Sequence, residues 1–119
     1  MPTSRQGDVG RVPFPYTDRN TRQHRPALVV SRRGVGEGSS LLWVVMITSA
    51  ANRRGPGDVS LADVYQEAGL PVPSVVRSTK IAIIEARHAD RIGRIDSVGW
   101  TEVASALREH LGFEASRSS

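Results

Sequence analysis

Short apolar segments separated by polar turns run along most of the chain, and this spacing predicts strands rather than helices. The most apolar segment, residues 41–47, predicts a central strand, and the β-branched run at 27–31 predicts a strand covered on both faces. Val12 and Phe14 fall on one face of the first segment. The remaining predicted strands are residues 7–14, 59–61, 74–85 and 92–95.

A single long helix is predicted near the C-terminus, because apolar residues recur there at three- and four-residue spacing. The helix covers about 99–111 and stops at Gly112; its apolar residues are Trp100, Val103, Ala104, Leu107 and Leu111. A brief helix at 63–68, a helical turn at 86–90 and a frayed tail at 114–119 are also expected. Short strands with one such helix predict a mainly β fold, a small bent sheet or barrel. They exclude a doubly wound α/β sheet, because helical crossovers are missing.

The length of 119 residues predicts one domain spanning 1–119. The absence of cysteine excludes a disulfide framework and thiolate metal or redox chemistry. Residues 1–7 are polar and lack the apolar core of a signal peptide, and no apolar run reaches the ~20 residues of a membrane span. A cytoplasmic protein that does not contact a membrane is therefore expected.

Basic charge is concentrated in the N-terminal half of the chain. Residues 1–60 hold nine arginines and four acidic residues, a balance of +5, whereas residues 61–119 hold seven basic and eight acidic residues, a balance of −1. All but one of the 16 basic residues are arginine, whose planar fork suits phosphate. A polyanionic partner such as nucleic acid is one explanation, and the arginine content of a GC-rich genome is a second of equal weight.

Familiar catalytic and cofactor motifs are missing from the sequence. Neither a glycine-rich phosphate loop nor a G-x-S-x-G nucleophile elbow occurs. His24, His88 and His110 lie at unrelated spacing on a predicted loop, turn and helix, so no metal site is predicted. Neither a cofactor nor a metal is expected.

The best candidate chemistry is an arginine beside hydroxyl groups. Pro26 biases Arg25 toward extended geometry, which places Arg25 at the end of a polar loop and the start of a strand. Thr48 and Ser49 end the central strand. If the two strands are antiparallel neighbours, these side chains share one rim and suit a phosphate oxygen or a pentavalent transition state. An ordinary rim arginine, and hydroxyls that cap their own turn, are the alternatives.

Several short motifs follow one another along most of the chain. They are Gly7-Asp8-Val9, Phe14-Pro15-Tyr16-Thr17-Asp18, His24-Arg25-Pro26-Ala27-Leu28-Val29-Val30-Ser31, Met46-Ile47-Thr48-Ser49, and Gly69-Leu70-Pro71 leading into Ser74-Val75-Val76-Arg77. In this order and spacing they resemble the MazF/PemK (Kid) family of bacterial toxins. Members of that family are ribosome-independent endoribonucleases of type II toxin–antitoxin pairs.

The resemblance implies an SH3-like barrel of the MazF/CcdB type with a C-terminal α-helix, working as a homodimer with RNA in a groove across the interface. It implies a metal-independent endoribonuclease, an mRNA interferase, that cleaves single-stranded RNA to 2′,3′-cyclic phosphate and 5′-OH ends. Catalytic roles fall on Arg25 and Thr48, with Ser49 assisting and Arg77 contributing to the same site. The implied protein partner is a cognate antitoxin whose acidic segment folds onto the basic groove.

Contacts to RNA bases and backbone are expected mainly from the loops. The candidate RNA-binding residues are Tyr16, Asp18, Arg19, Arg22, His24, Arg53, Arg54, Arg77 and Thr79. Each loop arginine among them also has an interpretation as a solvated surface charge. Two carboxylates of some relatives are absent, because the corresponding positions hold Asn20 and Thr79. The general base is therefore unassigned, with Asp18 and His24 as the substitutes considered.

Two other functions are compatible with the same motifs. One is a CcdB-like toxin that poisons DNA gyrase; those proteins depend on exposed residues at the end of the terminal helix, where this chain has His110-Leu111-Gly112-Phe113 without a matching signature. The other is a degenerate member that binds RNA or its antitoxin without cleaving, which the missing carboxylates favour.

Overall fold

Six strands and one α-helix make up the part of the chain that the computed structural model describes, residues 4–15, 22–52 and 55–112. The strands are β1 (Asp8–Pro15), β2 (Arg22–Val29), β3 (Leu41–Ser49), β4 (Asp58–Ser60), β5 (Ser74–Glu85) and β6 (Asp90–Arg94), and the helix is α1 (Ser97–Leu111). Two short 3₁₀ turns, Glu37–Ser39 and Ala86–His88, connect β2 to β3 and β5 to β6. The predicted mainly β fold with a C-terminal helix is confirmed.

All six strands belong to one antiparallel sheet in the order β4-β5-β3-β2-β1-β6. Strand β1 also contacts β5, although β2 and β3 lie between them in the sheet. The sheet therefore curls strongly, as the sequence predicts. Among the described strands, however, the edges β4 and β6 do not pair, so the sheet is not closed by a continuous ladder.

Alternation along the strands gives the sheet a buried core on each face. On the face covered by α1, the fully buried side chains include Val9, Leu28, Val45, Ile47, Val76 and Val103. On the opposite, concave face the buried side chains include Val12, Phe14, Ala27, Val29, Leu42, Val44 and Met46. A sheet that is apolar on both faces explains why the central segments are continuous apolar runs.

Helix α1 is bounded by polar contacts that the sequence provides. Asp96 is its N-cap, and the Oδ1 atom of Asp96 accepts a hydrogen bond from the Gly99 N–H at 3.0 Å. Gly112 ends the helix with a φ of 73°, and its N–H donates to the Arg108 carbonyl. The predicted stop at Gly112 is confirmed, and the helix begins two residues earlier than predicted.

Strand β2 begins earlier than predicted, and Pro26 lies inside it instead of at its mouth. Pairing with β1 extends β2 back to Arg22, and Pro26 lies opposite Arg11. The proline is tolerated because β2 pairs with β3 only from Ala27 onward, so at Pro26 the strand is an edge on that side.

The brief helix predicted at 63–68 is wrong; the segment is a series of turns. The Ala68 N–H donates to the Val64 carbonyl at 3.2 Å, and the Leu70 N–H donates to the Tyr65 carbonyl at 2.9 Å. Gly69 interrupts the run with a φ of 82°. Its backbone also lies so close to β6 that a Cβ there would be 2.0 Å from the Ile92 carbonyl oxygen, so only glycine fits. Close packing of this segment against β6 overrides the local helical tendency.

Candidate active site

Arg25 and Thr48 lie on the same face of the sheet, the one that holds the concave core. Strands β2 and β3 are antiparallel neighbours, as predicted, with Ala27 opposite Met46. If that register is continued by two residues, Arg25 lies opposite Thr48. Side chains two residues apart on a strand lie on the same face, so Arg25 and Thr48 lie on the face of Ala27 and Met46. The arginine at 25 is half-buried and the threonine is 5% exposed. Both residues therefore lie on the same face of the sheet, just beyond the end of the β2–β3 ladder.

Arg77 joins this face from β5 because of a bulge in the strand. Val45 lies opposite Ile81, but the next residue, Met46, lies opposite Arg77. The three intervening residues, 78–80, are thus left out of the ladder with β3, and the strand is redirected. The Arg77 side chain consequently lies on the same face of the sheet as those of Met46 and Thr48. We refer to Arg25, Thr48 and Arg77 as the concave-face triad.

The hydroxyl of Thr48 is held by the turn that follows β3. The Asn52 side-chain amide donates a hydrogen bond to Thr48 Oγ1 at 2.5 Å. The turn itself is closed by the Asn52 N–H, which donates to the Ser49 carbonyl at 3.0 Å. Because Oγ1 acts as the acceptor toward Asn52, the hydrogen of the hydroxyl is directed away from Asn52.

Ser49 has a different environment from Thr48. As the next residue along β3 it belongs to the other face of the sheet, and its Oγ accepts a hydrogen bond from the Ala51 N–H at 3.1 Å. These contacts are those of a hydroxyl that caps its own turn. Ser49 thereby supports the turn that carries Asn52.

Arg77 forms a two-point ion pair with Asp58 of β4. Its Nε donates to Oδ1 at 3.2 Å, and its Nη2 donates to Oδ2 at 3.0 Å. The Asp58 side chain is 1% exposed and that of Arg77 is 21% exposed. No role for Asp58 was predicted from the sequence, although it is the only acidic residue between Glu37 and Asp63 and follows the basic pair Arg53-Arg54.

The segment before β4 is fastened to the bulge of β5 and to the end of α1. Ser78 Oγ donates to the Gly57 carbonyl at 2.6 Å and lies 2.9 Å from His110 Nε2. Since the single hydroxyl hydrogen is used toward Gly57, His110 Nε2 is the donor in the second bond. Gly57 has a φ of 84°, and a Cβ there would lie 2.8 Å from Ser78 Oγ. Only glycine fits this contact without strain.

The other predicted RNA-binding residues are distributed more widely. His24 is exposed on β2 opposite Pro13, one residue out of phase with Arg25. Thr79 lies in the bulge and lines a groove beneath the end of α1. Arg22 is the first residue of β2. Tyr16, Asp18, Arg19, Arg53 and Arg54 lie outside the described residues, as do Asn20 and the predicted tail at 114–119.

The groove beneath α1 is strongly apolar. It has a volume of about 520 Å³, and its apolar lining comprises Val30, Val35, Trp43, Ile81, Leu107 and Leu111. Ile81 is 50% exposed and Leu111 is 54% exposed. We call this surface the apolar groove; it lies on the α1 side of the sheet, opposite the concave-face triad.

The concave-face triad places two guanidinium groups and one hydroxyl on the same face of the sheet. Such groups bind phosphate oxygens and stabilise extra negative charge on phosphorus. In the described parts of the chain, no group of three or more His, Asp or Glu side chains is arranged to bind a metal ion. None of the described helices combines the length and apolar character that a membrane span requires.

Comparisons with known proteins identify relatives of this chain. Residues 5–111 match the family described as PemK-like, MazF-like toxin of type II toxin–antitoxin system. A comparison with curated proteins finds no match.

Solved structures resemble this fold over nearly its whole length. MazF in a MazE–MazF crystal structure from Deinococcus radiodurans is 23% identical, with a TM-score of 0.73 over 96% of this chain and all of the other. An endoribonuclease from a mycobacterial species is 19% identical, with a TM-score of 0.71 over 98% of each chain. Toxin MazF-mt6 from Mycobacterium tuberculosis is 21% identical, with a TM-score of 0.69 over 90% of this chain and 98% of the other. At these identities the likeness establishes the fold.

Proposed function

Because this chain belongs to the family of PemK-like, MazF-like toxins of type II toxin–antitoxin systems, we propose that it is an endoribonuclease that cleaves single-stranded RNA. The observation that carries the proposal is the placement of Arg25, Thr48 and Arg77 on one concave face. A structurally similar mycobacterial protein is described as an endoribonuclease, which supports the same activity.

The proposed reaction uses a nucleophile supplied by the substrate. A ribose 2′-OH attacks the adjacent phosphorus, the bond to the 5′ oxygen breaks, and the products are a 2′,3′-cyclic phosphate and a 5′-OH. The protein then needs to orient the phosphate and stabilise the charge that develops on it. Arg25 and Arg77 supply positive charge, and the Thr48 hydroxyl donates to a phosphate oxygen. The proton that the 2′-OH loses passes to solvent, and Arg25 protonates the leaving 5′ oxygen and is itself reprotonated from solvent.

The proposed partners are RNA, a cognate antitoxin and a second copy of the chain. The Deinococcus relative was crystallised with MazE, which supports an antitoxin partner for this protein. An acidic segment of such an antitoxin would complement the +5 balance of residues 1–60. The apolar groove is proposed as the homodimer interface, because Trp43, Ile81 and Leu111 expose apolar surface there.

The function is tested by incubating the purified protein with a long single-stranded RNA in EDTA. We expect discrete fragments that polynucleotide kinase labels directly, because their 5′ ends carry hydroxyl groups. Arg25→Ala is expected to lower the cleavage rate by at least about 100-fold, the effect of removing a transition-state donor. Arg87→Ala is the matched control, since this exposed arginine pairs with Glu85 outside the concave face.

Other outcomes would contradict the assigned site or indicate a different function. Cleavage by Arg25→Ala at the wild-type rate would contradict the assigned site. RNA that is shifted in a gel but stays intact would indicate a binding protein without nuclease activity. Gyrase-dependent DNA breaks without RNA cleavage would indicate a gyrase poison.

A further inference from the structure

We propose that Asp58 is a positioning residue for RNA cleavage, acting by fixing the orientation of the Arg77 guanidinium on the concave face. The inference rests on the proposed function, since it assigns Arg77 a defined geometry toward the scissile phosphate. It also supplies a functional carboxylate to a chain in which Asn20 and Thr79 occupy the positions of familiar acidic residues.

The geometry of the ion pair determines where the rest of the arginine points. Asp58 receives hydrogen bonds from Nε and Nη2, the two donors along the side edge of the planar guanidinium. Two contacts to one carboxylate fix both the position and the plane of the group. The end edge of the fork, which carries Nη1, then has a single direction relative to β5.

Asp58 is itself held rigidly, so it can serve as a fixed reference for Arg77. Its Oδ2 also accepts a hydrogen bond from the Gly55 N–H at 3.0 Å, and its own N–H donates to the Gly55 carbonyl at 3.2 Å. Its Cα is paired directly with that of Arg77 in the β4–β5 ladder. The Ser78 hydroxyl fastens the neighbouring Gly57 carbonyl. The carboxylate is therefore fixed by the backbone on both sides.

Burial and charge define what Asp58 does. With 1% of its side chain exposed and both oxygens accepting hydrogen bonds, Asp58 acts through Arg77 and does not touch substrate. Its negative charge also offsets one of the two positive charges that Arg25 and Arg77 bring to the same face. The pair thus lets two guanidinium groups share one concave surface at a lower electrostatic cost.

The inference is tested by a double-mutant cycle of Asp58→Asn and Arg77→Ala on RNA cleavage. Asparagine keeps the size of the side chain and an acceptor for the Gly55 N–H, but removes the charge that holds Arg77. We expect Asp58→Asn to lower kcat by about 10-fold or more with little change in KM, the signature of a group whose effect is exerted in the transition state. In the Arg77→Ala background the same substitution is expected to change kcat less than 2-fold, since residues that act together are not additive.

Asp8→Asn is the matched control. Asp8 is also buried, with 4% of its side chain exposed, and it pairs with Arg94 at 2.8 Å and Arg91 at 3.3 Å. These residues lie on β1 and β6, at the opposite edge of the sheet from β4. Because both substitutions remove a buried, paired charge, we expect Asp8→Asn to destabilise the fold about as much as Asp58→Asn while leaving kcat unchanged.

A measurement on the wild-type protein covers the case in which Asp58→Asn fails to fold. Arginine Nε–H groups are observed by ¹⁵N NMR, and Arg77→Lys identifies the signal of Arg77. We expect that signal to be protected from exchange with water and to shift when a non-cleavable 2′-deoxy oligonucleotide is added.

Three results would overturn the inference while the proposed function stands. They are an unprotected Arg77 signal, wild-type kcat in folded Asp58→Asn, and independent effects of the two substitutions that multiply in the double variant. If the wild-type protein leaves RNA intact, the proposed function fails and this inference fails with it. Cleavage by the wild type with multiplying effects rejects only the role of Asp58.

Discussion

At the scale of single residues, the proposed chemistry depends on how each reactive group is held. Thr48 is 5% exposed, and its hydroxyl is a useful donor only if its hydrogen points toward the substrate. The Asn52 amide donates to Oγ1 at 2.5 Å and so keeps the hydroxyl hydrogen from pointing toward Asn52. Asn52, in the turn after β3, thus restricts the orientation of the Thr48 hydroxyl inside the strand.

Asn52→Ala is expected to lower kcat for RNA cleavage by about 3- to 10-fold, the value of one neutral hydrogen bond of about 1 kcal/mol. KM should stay within 2-fold, because the substitution acts on the orientation of a donor. The measurement is steady-state cleavage of a short fluorogenic RNA. Gln66→Ala, at an exposed position in the turns before β5, is the control, and an equal loss in that variant would refute the role of Asn52.

Arg25 and Thr48 were accessible to sequence analysis, whereas their supporting residues were not. Each of the two lies in a motif whose strand assignment follows from neighbouring residues. Asp58 contacts a partner that is 19 residues away, and nothing in its local sequence indicates that partner. Only its position in the sequence, as the single acidic residue between Glu37 and Asp63 and shortly after Arg53-Arg54, distinguishes it from a solvated charge.

At the scale of elements, boundaries are decided by caps and by neighbouring strands. The end of α1 at Gly112 follows from the preference of the left-handed cap for glycine, and Asp96 provides the matching N-cap. In contrast, β2 runs back past Pro26 because β1 is available to pair with it. The segment 63–68 does not form the predicted helix, because it packs closely against β6. Local signals thus predict helix ends better than strand ends.

Asp96→Ala is expected to lower the free energy of unfolding by about 0.5–2 kcal/mol, because the Gly99 N–H loses its acceptor. Urea denaturation followed by circular dichroism measures the change. Ser97→Ala, at the first residue of the helix, provides the comparison and should stay within about 0.5 kcal/mol of wild type. Equal losses in the two variants would show that the cap does not contribute as described.

At the scale of the whole molecule, the curled sheet separates two surfaces with different properties. The concave face carries the triad and its guanidinium groups, and the side covered by α1 carries the apolar groove. Exposed apolar side chains in such a groove favour association with another surface. We propose that a dimer formed through the apolar groove leaves the triad uncovered on the other face of the sheet, an arrangement that differs from the RNA groove across the interface that the resemblance implies.

Ile81→Lys is expected to convert a homodimer into a monomer, because a charge placed in the apolar groove would be buried without a partner on association. Sedimentation equilibrium measures the mass, which should fall from twice to once the chain mass of 12.9 kDa. Val98→Lys is the control, since Val98 is more exposed than Ile81 but lies at the start of α1, outside the groove. A dimer that persists in Ile81→Lys would exclude this surface as the interface.

The sequence by itself determined the mainly β fold, the single helix with its glycine stop, and the antiparallel neighbours that carry Arg25 and Thr48. These features depend on residue spacing within an element or on short motifs, and both are encoded locally. Only the tertiary structure decided that Asn52 contacts Thr48 and that Asp58 contacts Arg77. Those contacts arise when β4 pairs with β5 and when a bulge redirects Arg77. Strand pairing over such sequence distances depends on the packing of the whole sheet, which no local pattern specifies.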